Sequence, residues 1–169
     1  MRRIMLAIYL LSGLVPMTAA ASPRNLAVPA FQKLQSLAGE WRGTDDRGKA
    51  VRTEFQSSVS RTVVMEVLTP ADMPSMMTLY SLDGEAIALV HYCSTNNQPR
   101  MRAVPDADPA KELSFNFLGA GNLPNAQVGH QQKLVIRFDD DDHFTESWTW
   151  REDGKDAVHV FHFARKLQN

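Results

Sequence analysis

Leu37-Ala38-Gly39-Glu40-Trp41-Arg42-Gly43 is the stretch that decides the fold, because the hydrophobic period changes across it. Before it, Phe31, Leu34 and Leu37 recur at helical spacing on one face. Pro29 suits the first turn of such a helix, where a missing N–H costs nothing, and Gly39 suits its end. The spacing predicts a short helix over residues 29–38 with an apolar face to cover. After Gly39 the period becomes two. Val51, Thr53 and Phe55 alternate with Arg52 and Glu54, and Val63, Met65 and Val67 alternate with Val64, Glu66 and Leu68.

The same period continues to the C-terminus. Met76 to Leu82 runs into Asp83-Gly84, a positive-φ hairpin signal, and Glu85 to Cys93 returns. Arg100 to Val104 is stopped by Pro105. Leu113, Phe115 and Phe117 share a face, as do Leu134, Ile136 and Phe138, and then Phe144, Glu146, Trp148 and Trp150. Asp153-Gly154 is a second hairpin signal before Val158 to Arg165. Gly119 to Gly129 reads as the longest connection. Short strands at hairpin spacing with little helix indicate an all-β antiparallel protein. An up-and-down barrel of about 8–10 strands, with a short N-terminal helix, is the closure that leaves no edge exposed.

Residues 1–21 read as a signal peptide. Arg2 and Arg3 precede an apolar run, Ile4 to Val15, that falls short of the roughly 20 residues a membrane helix needs. Ala19-Ala20-Ala21 supplies small residues for cleavage before Ser22. No cysteine follows the run, so no lipid or membrane anchor is expected. Residues 22–28 read as a flexible lead-in and 29–169 as one domain. The chain carries 18 basic and 19 acidic residues; without Arg2 and Arg3 the basic count is 16 and the net charge −3. That balance gives nucleic acid no electrostatic handle. Cys93 is the single cysteine, so burial rather than an internal disulfide must hold this chain together. The expectation is an exported bacterial protein, periplasmic or secreted.

With the helix, Gly39-Glu40-Trp41 and the hairpins together, the chain resembles the calycin superfamily: lipocalins, fatty-acid-binding proteins and nitrobindin-like proteins. That resemblance implies a ligand-carrying barrel whose closed end holds the tryptophan beneath an arginine of the last strand. Arg165 stands where that arginine would be, which gives Trp41 and Arg165 structural roles. The chain is similar over a longer span to exported bacterial proteins grouped as a lipocalin-like domain of unknown function. The matching stretches are Leu37 to Gly43, Leu79 to Gly84, His91-Tyr92-Cys93, Asn97 to Met101, Asp142-His143 and Trp148-Thr149. This likeness implies a fold and carries no activity.

The densest polar segment runs from His91 to Met101. His91 and Cys93 share one strand face, and Asn97, Gln98 and Arg100 follow on the return. His91, Tyr92, Asn97, Gln98, Arg100 and Met101, with His143, are the candidate ligand-binding residues. Arg100 or Arg102 is a candidate grip for a carboxylate, against the plainer reading of surface arginines and a turn satisfied by Asn97 and Gln98. Methionines 65, 73, 76, 77 and 101 are either pocket lining or ordinary core. Residues i and i+2 on a strand lie about 6–7 Å apart, so Cys93 reads as a buried hydrophobe rather than a nucleophile partnered by His91. The five histidines form no metal-binding spacing, and His159 and His162 face opposite sides of their strand. Asp139 to Asp142 lacks a calcium-loop pattern and reads as a solvated turn.

No catalytic set and no metal site is legible, and no cofactor is predicted. Haem is the alternative implied by the nitrobindin likeness, through His159 or His162. The leading expectation is a barrel that binds a small amphipathic or apolar molecule. The alternatives are an enzyme using His91 and His143 in a cleft at the barrel mouth, or a structural or interaction barrel without a ligand.

Overall fold

The structure, a computed structural model, describes residues 25–105 and 108–166. The expected signal peptide and the cleavage site before Ser22 lie outside the described residues. Among the described residues one helix, α1 (Ala27–Gln35), precedes ten strands. These are β1 (Gly39–Asp45), β2 (Ala50–Ser58), β3 (Val63–Pro70), β4 (Met76–Asp83), β5 (Ala86–Tyr92), β6 (Gln98–Ala103), β7 (Glu112–Gly121), β8 (His130–Phe138), β9 (His143–Glu152) and β10 (Lys155–Arg165).

Each strand pairs antiparallel with its sequence neighbour, and β10 returns to β1 from Trp41↔Arg165 to Asp45↔Phe161. The result is a closed up-and-down barrel without a free edge, as the strand pattern predicts. The turn chemistry is also as read. Asp153 and Gly154 both have positive φ, 49° and 71°, in the two-residue loop between Glu152 and Lys155.

Four boundaries differ from the sequence reading. The helix starts at Ala27 rather than Pro29, which shortens the lead-in, and ends at Gln35. Pro29 remains within the first turn, where no intrahelical acceptor awaits its nitrogen. The connection expected over 119–129 is shorter, because Gly119 to Gly121 extend β7 by pairing with Arg100, Pro99 and Gln98. Strand β8 likewise begins at His130, four residues before the apolar alternation becomes visible.

One end of the barrel is plugged. Ala27, Ala30, Phe31 and Leu34 of α1 are buried. Beneath them Trp41 is fully buried, and its indole N–H donates to the Leu37 carbonyl at 2.7 Å. Phe144 meets Trp41 edge-on at 4.8 Å and stacks on Phe163 at 4.8 Å. The Arg165 guanidinium lies 4.1 Å from the centre of the Trp41 ring. It also donates to the carbonyls of Ser36, Ala38 and Asp141. Arg165 thus ties the helix exit, the first strand and the β8–β9 turn to the tryptophan, a cation–π contact worth roughly 0.5–2 kcal/mol.

Candidate functional site

The opposite end holds a cavity of about 260 Å³. Its walls come from strand positions of one parity, which is why they converge. Leu68 lies late in β3, Met76 opens β4, His91 is the last residue but one of β5, Trp148 and Trp150 lie late in β9, and His159 and Phe161 lie mid-way along β10. Gln131 joins them because the β8–β9 register slips between Gln131 and Lys133, which resets the facing of that strand end. Gly129 makes room beside it: a Cβ there would run into the Trp150 ring.

His91 is the polar centre of this wall. It is 1% exposed, its ring stands 4.6 Å from that of Trp148, and Nδ1 lies 2.9 Å from the Thr78 hydroxyl. Among the described residues its Nε2 has no hydrogen-bond partner, and neither does Oε1 of Gln131. Burial holds the imidazole down to about 4, so it is neutral near pH 7.

Deeper in the lumen lie two carboxyl groups, Glu66 of β3 and Glu146 of β9, both 0% exposed. Glu66 accepts from the Thr53 hydroxyl at 2.9 Å and the Tyr80 phenol at 2.7 Å. Glu146 accepts from the Trp148 indole at 2.9 Å. The two carboxyls lie close enough in the lumen for each to shift the other's titration. Burial raises Glu66, opposed by its three hydrogen bonds. Burial and then the charge of Glu66 push Glu146 well above the usual carboxylate range. With no cation among their partners, the pair keeps a proton. Oε1 of Glu146 has no donor directed at it. A proton placed there lets Glu146 donate to Glu66, which then has three donors and is the ionised member.

The other candidates from the sequence are dispersed. Tyr92 and Arg100 face outward and are exposed, and Arg102 pairs with Asp83 at 2.8 Å. Met101 belongs to the core. Asn97 is buried, but it ties the β5–β6 turn to Gly129 through a 2.9 Å bond to that carbonyl. Gln98 donates to the Asn96 carbonyl. His143 lies at the plugged end, where its Nδ1 meets Asp140 at 2.9 Å. It precedes Trp148 by five residues of extended strand, about 17 Å at the usual rise, so His91 and His143 share no cleft. His162 faces away from the lumen toward Thr145, whereas His159 lines the cavity mouth. Of the methionines, Met73 and Met76 line the cavity. The aspartates of 139–142 serve local contacts, including Lys33–Asp141 and Arg165–Asp142.

Sequence reasoning missed Glu66, Glu146, Gln131 and the two cavity tryptophans. The signal available was a glutamate standing inside an apolar alternation: Val64-x-Glu66-x-Leu68, and Phe144-x-Glu146-x-Trp148.

No family model matches this chain, and no curated protein matches it by sequence. Solved structures do match. Rv2717c from M. tuberculosis aligns with a TM-score of 0.62 and 14% identity, over 84% of this chain and 99% of that one. A protein of unknown function from the DUF3598 family of Nostoc punctiforme aligns with a TM-score of 0.52 and 10% identity, over 79% of this chain. This chain spans about half of the Nostoc protein's length, 49%. At such identities the likeness shows the barrel fold alone. The narrower likeness to exported lipocalin-like proteins has no family match behind it.

Proposed function

We propose that this protein binds a small, partly apolar molecule in the open end of its barrel, in the manner of a carrier or sensor, and acts outside the cytoplasm. The observation that carries this reading is the pairing of an aromatic and methionine-walled cavity with buried polar atoms that lack partners. Nε2 of His91 and Oε1 of Gln131 are both without one, and an unmet buried polar group costs roughly 1–3 kcal/mol. A ligand that meets them recovers that cost while burying its apolar body. About 260 Å³ lies just under the roughly 300–1,000 Å³ of drug-sized sites, which suits a compact molecule. A haem exceeds this volume and would have to stand in the mouth. His159 is there the one last-strand imidazole on the lumen face.

The test is native mass spectrometry with an absorption spectrum on protein purified without denaturation, beside a Met76→Trp variant that fills the cavity. A reproducible added mass, lost in the folded variant, is expected; a Soret band would instead identify haem. A bare polypeptide mass, together with no response of tryptophan fluorescence to a panel of small aromatic and aliphatic compounds, would refute the reading.

A further inference from the structure

Sulfur and imidazole gather on one wall of the cavity. Cys93, the single cysteine, lines it together with Met73, Met76 and His91. Ladder register explains the grouping. Strand β4 pairs with β5 as Thr78↔His91 and Met77↔Tyr92. One residue further along, Met76 stands opposite Cys93, and directly opposed residues have Cβ atoms about 4.5–5.5 Å apart. His91 and Cys93 share a face, about 6–7 Å apart. That gap is too long for a thiol–imidazole hydrogen bond, but an ion held between the two side chains adds two bonds of about 2.0–2.3 Å and closes it. Nε2 of His91 is buried and, among the described residues, has no hydrogen-bond partner. The other ring nitrogen, Nδ1, lies 2.9 Å from the Thr78 hydroxyl. A hydroxyl both donates and accepts, so the ring can hold its proton on Nδ1 when Nε2 binds an ion, whichever tautomer it adopts when empty. Such a partner on the far nitrogen is the usual support of a metal-bound histidine. Cys93 has a support of its own, because the Thr95 hydroxyl donates to Sγ at 3.2 Å. Among the described residues no three histidine, cysteine or carboxylate side chains gather as a metal site. Only a thioether completes the set, and that decides the class of ion.

We propose that this wall binds one soft monovalent metal ion, Cu(I) by class, through Nε2 of His91, Sγ of Cys93 and Sδ of Met76, with Met73 at the exposed rim. Thiolate and thioether sulfur select Cu(I) over ions that require oxygen or several imidazoles. As the S–Cu bond forms, the thiol proton leaves to solvent; the ion arrives as Cu(I) and no electron moves. Thiolate and ion then cancel, so the apolar cavity gains no net charge. The Arg47 guanidinium at the cavity edge is itself paired with Asp45 and Asp72. This site goes beyond the small-molecule reading and does not need it, since Oε1 of Gln131 and the wall of Trp148 and Trp150 remain for an organic occupant.

The test uses the full folded chain, reduced and free of oxygen, competing with bicinchoninate for Cu(I). The wild type should take one equivalent. Ag(I), the redox-inert counterpart, should move the ¹⁵N signal of His91 Nε2 while Nδ1 stays protonated. Cys93→Ser should lose capture. Met76→Leu keeps the volume and removes the thioether. Loss of an outer-shell partner already costs a metal site about 10–100-fold in affinity, so loss of this ligand should weaken capture at least about tenfold. No transfer from bicinchoninate overturns the site. Capture by Met76→Leu equal to the wild type, or an unmoved Nε2 signal, overturns it as binding by a lone thiolate. Zn(II) held as tightly as Cu(I) overturns the choice of a soft ion. An organic mass retained by the wild type is a separate readout, so failure of the metal site and failure of the small-molecule reading are told apart.

Discussion

Replacing Glu146 by Gln should stabilise this protein at neutral pH, although it alters a fully buried side chain. The reasoning starts from the shared proton. An unfolded glutamate releases its proton near pH 4.3–4.5, whereas folded Glu146 holds its proton well above that range because burial and the neighbouring Glu66 charge oppose ionisation. Between those two values the folded state binds more protons than the unfolded state, so stability falls as pH rises. The slope is at most about 1.4 kcal/mol per pH unit, for as long as the unfolded carboxyl is ionised and the folded one is not. The amide introduced by Glu146→Gln would carry the same hydrogen bonds without the titration. Its carbonyl accepts from the Trp148 indole and its NH₂ donates to Glu66. His91 works in the opposite sense. Its lowered value makes stability fall as pH drops from about 6.5 toward 4, and this contribution is common to both proteins and cancels. Urea denaturation at half-unit steps from pH 5 to 8 measures the difference. The two proteins should match near pH 5 and diverge in favour of the variant above it. A variant that is less stable at pH 7.5, or that keeps the wild-type slope, would refute the assignment of the proton to Glu146. Glu66→Gln should behave differently and destabilise at every pH, since one amide oxygen cannot accept from Thr53, Tyr80 and Glu146 together.

Substitutions at two further positions test the closure. A Cβ at Gly43 would fall on the backbone carbonyl of His162 across the β1–β10 seam, so Gly43→Ala should cost about 1–3 kcal/mol as overpacking that backbone cannot relieve; an unchanged urea midpoint would show that the seam gives way. Arg165→Ala removes the cation–π contact and the three carbonyl bonds at the plugged end, with an expected loss of about 2 kcal/mol. Arg165→Lys should restore only part of this, because an ammonium cannot fork to several carbonyls while lying flat on the indole; full rescue by lysine would make the contact simply one of charge.

Sequence alone determined the barrel. Period-two alternation, the Asp-Gly turns and the lack of crossover helices leave few ways to bury one face of every strand, and Gly39-Glu40-Trp41 marks where winding begins. Arg165 was legible for the same reason, since the last strand must close on the first and bring its end over Trp41. The cavity was not legible, and the reason is geometric. Val63 to Leu68 is apolar on both faces, so its periodicity cannot say whether Val64, Glu66 and Leu68 or Val63, Met65 and Val67 point inward. Only ladder register turned Glu66 into the lumen, opposite Glu146. The polar run from His91 to Met101 looked like one site because its members are adjacent in sequence, but only His91, Cys93, Ser94 and Thr95 line the cavity, while Tyr92 and Arg100 face outward because a strand sends neighbours to opposite faces. Met76 reaches the site through the β4–β5 hairpin, but Gln131 and Trp148 lie on β8 and β9 and meet His91 only when the ring of ten closes. Composition and pattern thus choose the container, because they reflect local conformation and burial. What the container holds depends on which distant side chains register brings together, and only the closed tertiary structure decides that.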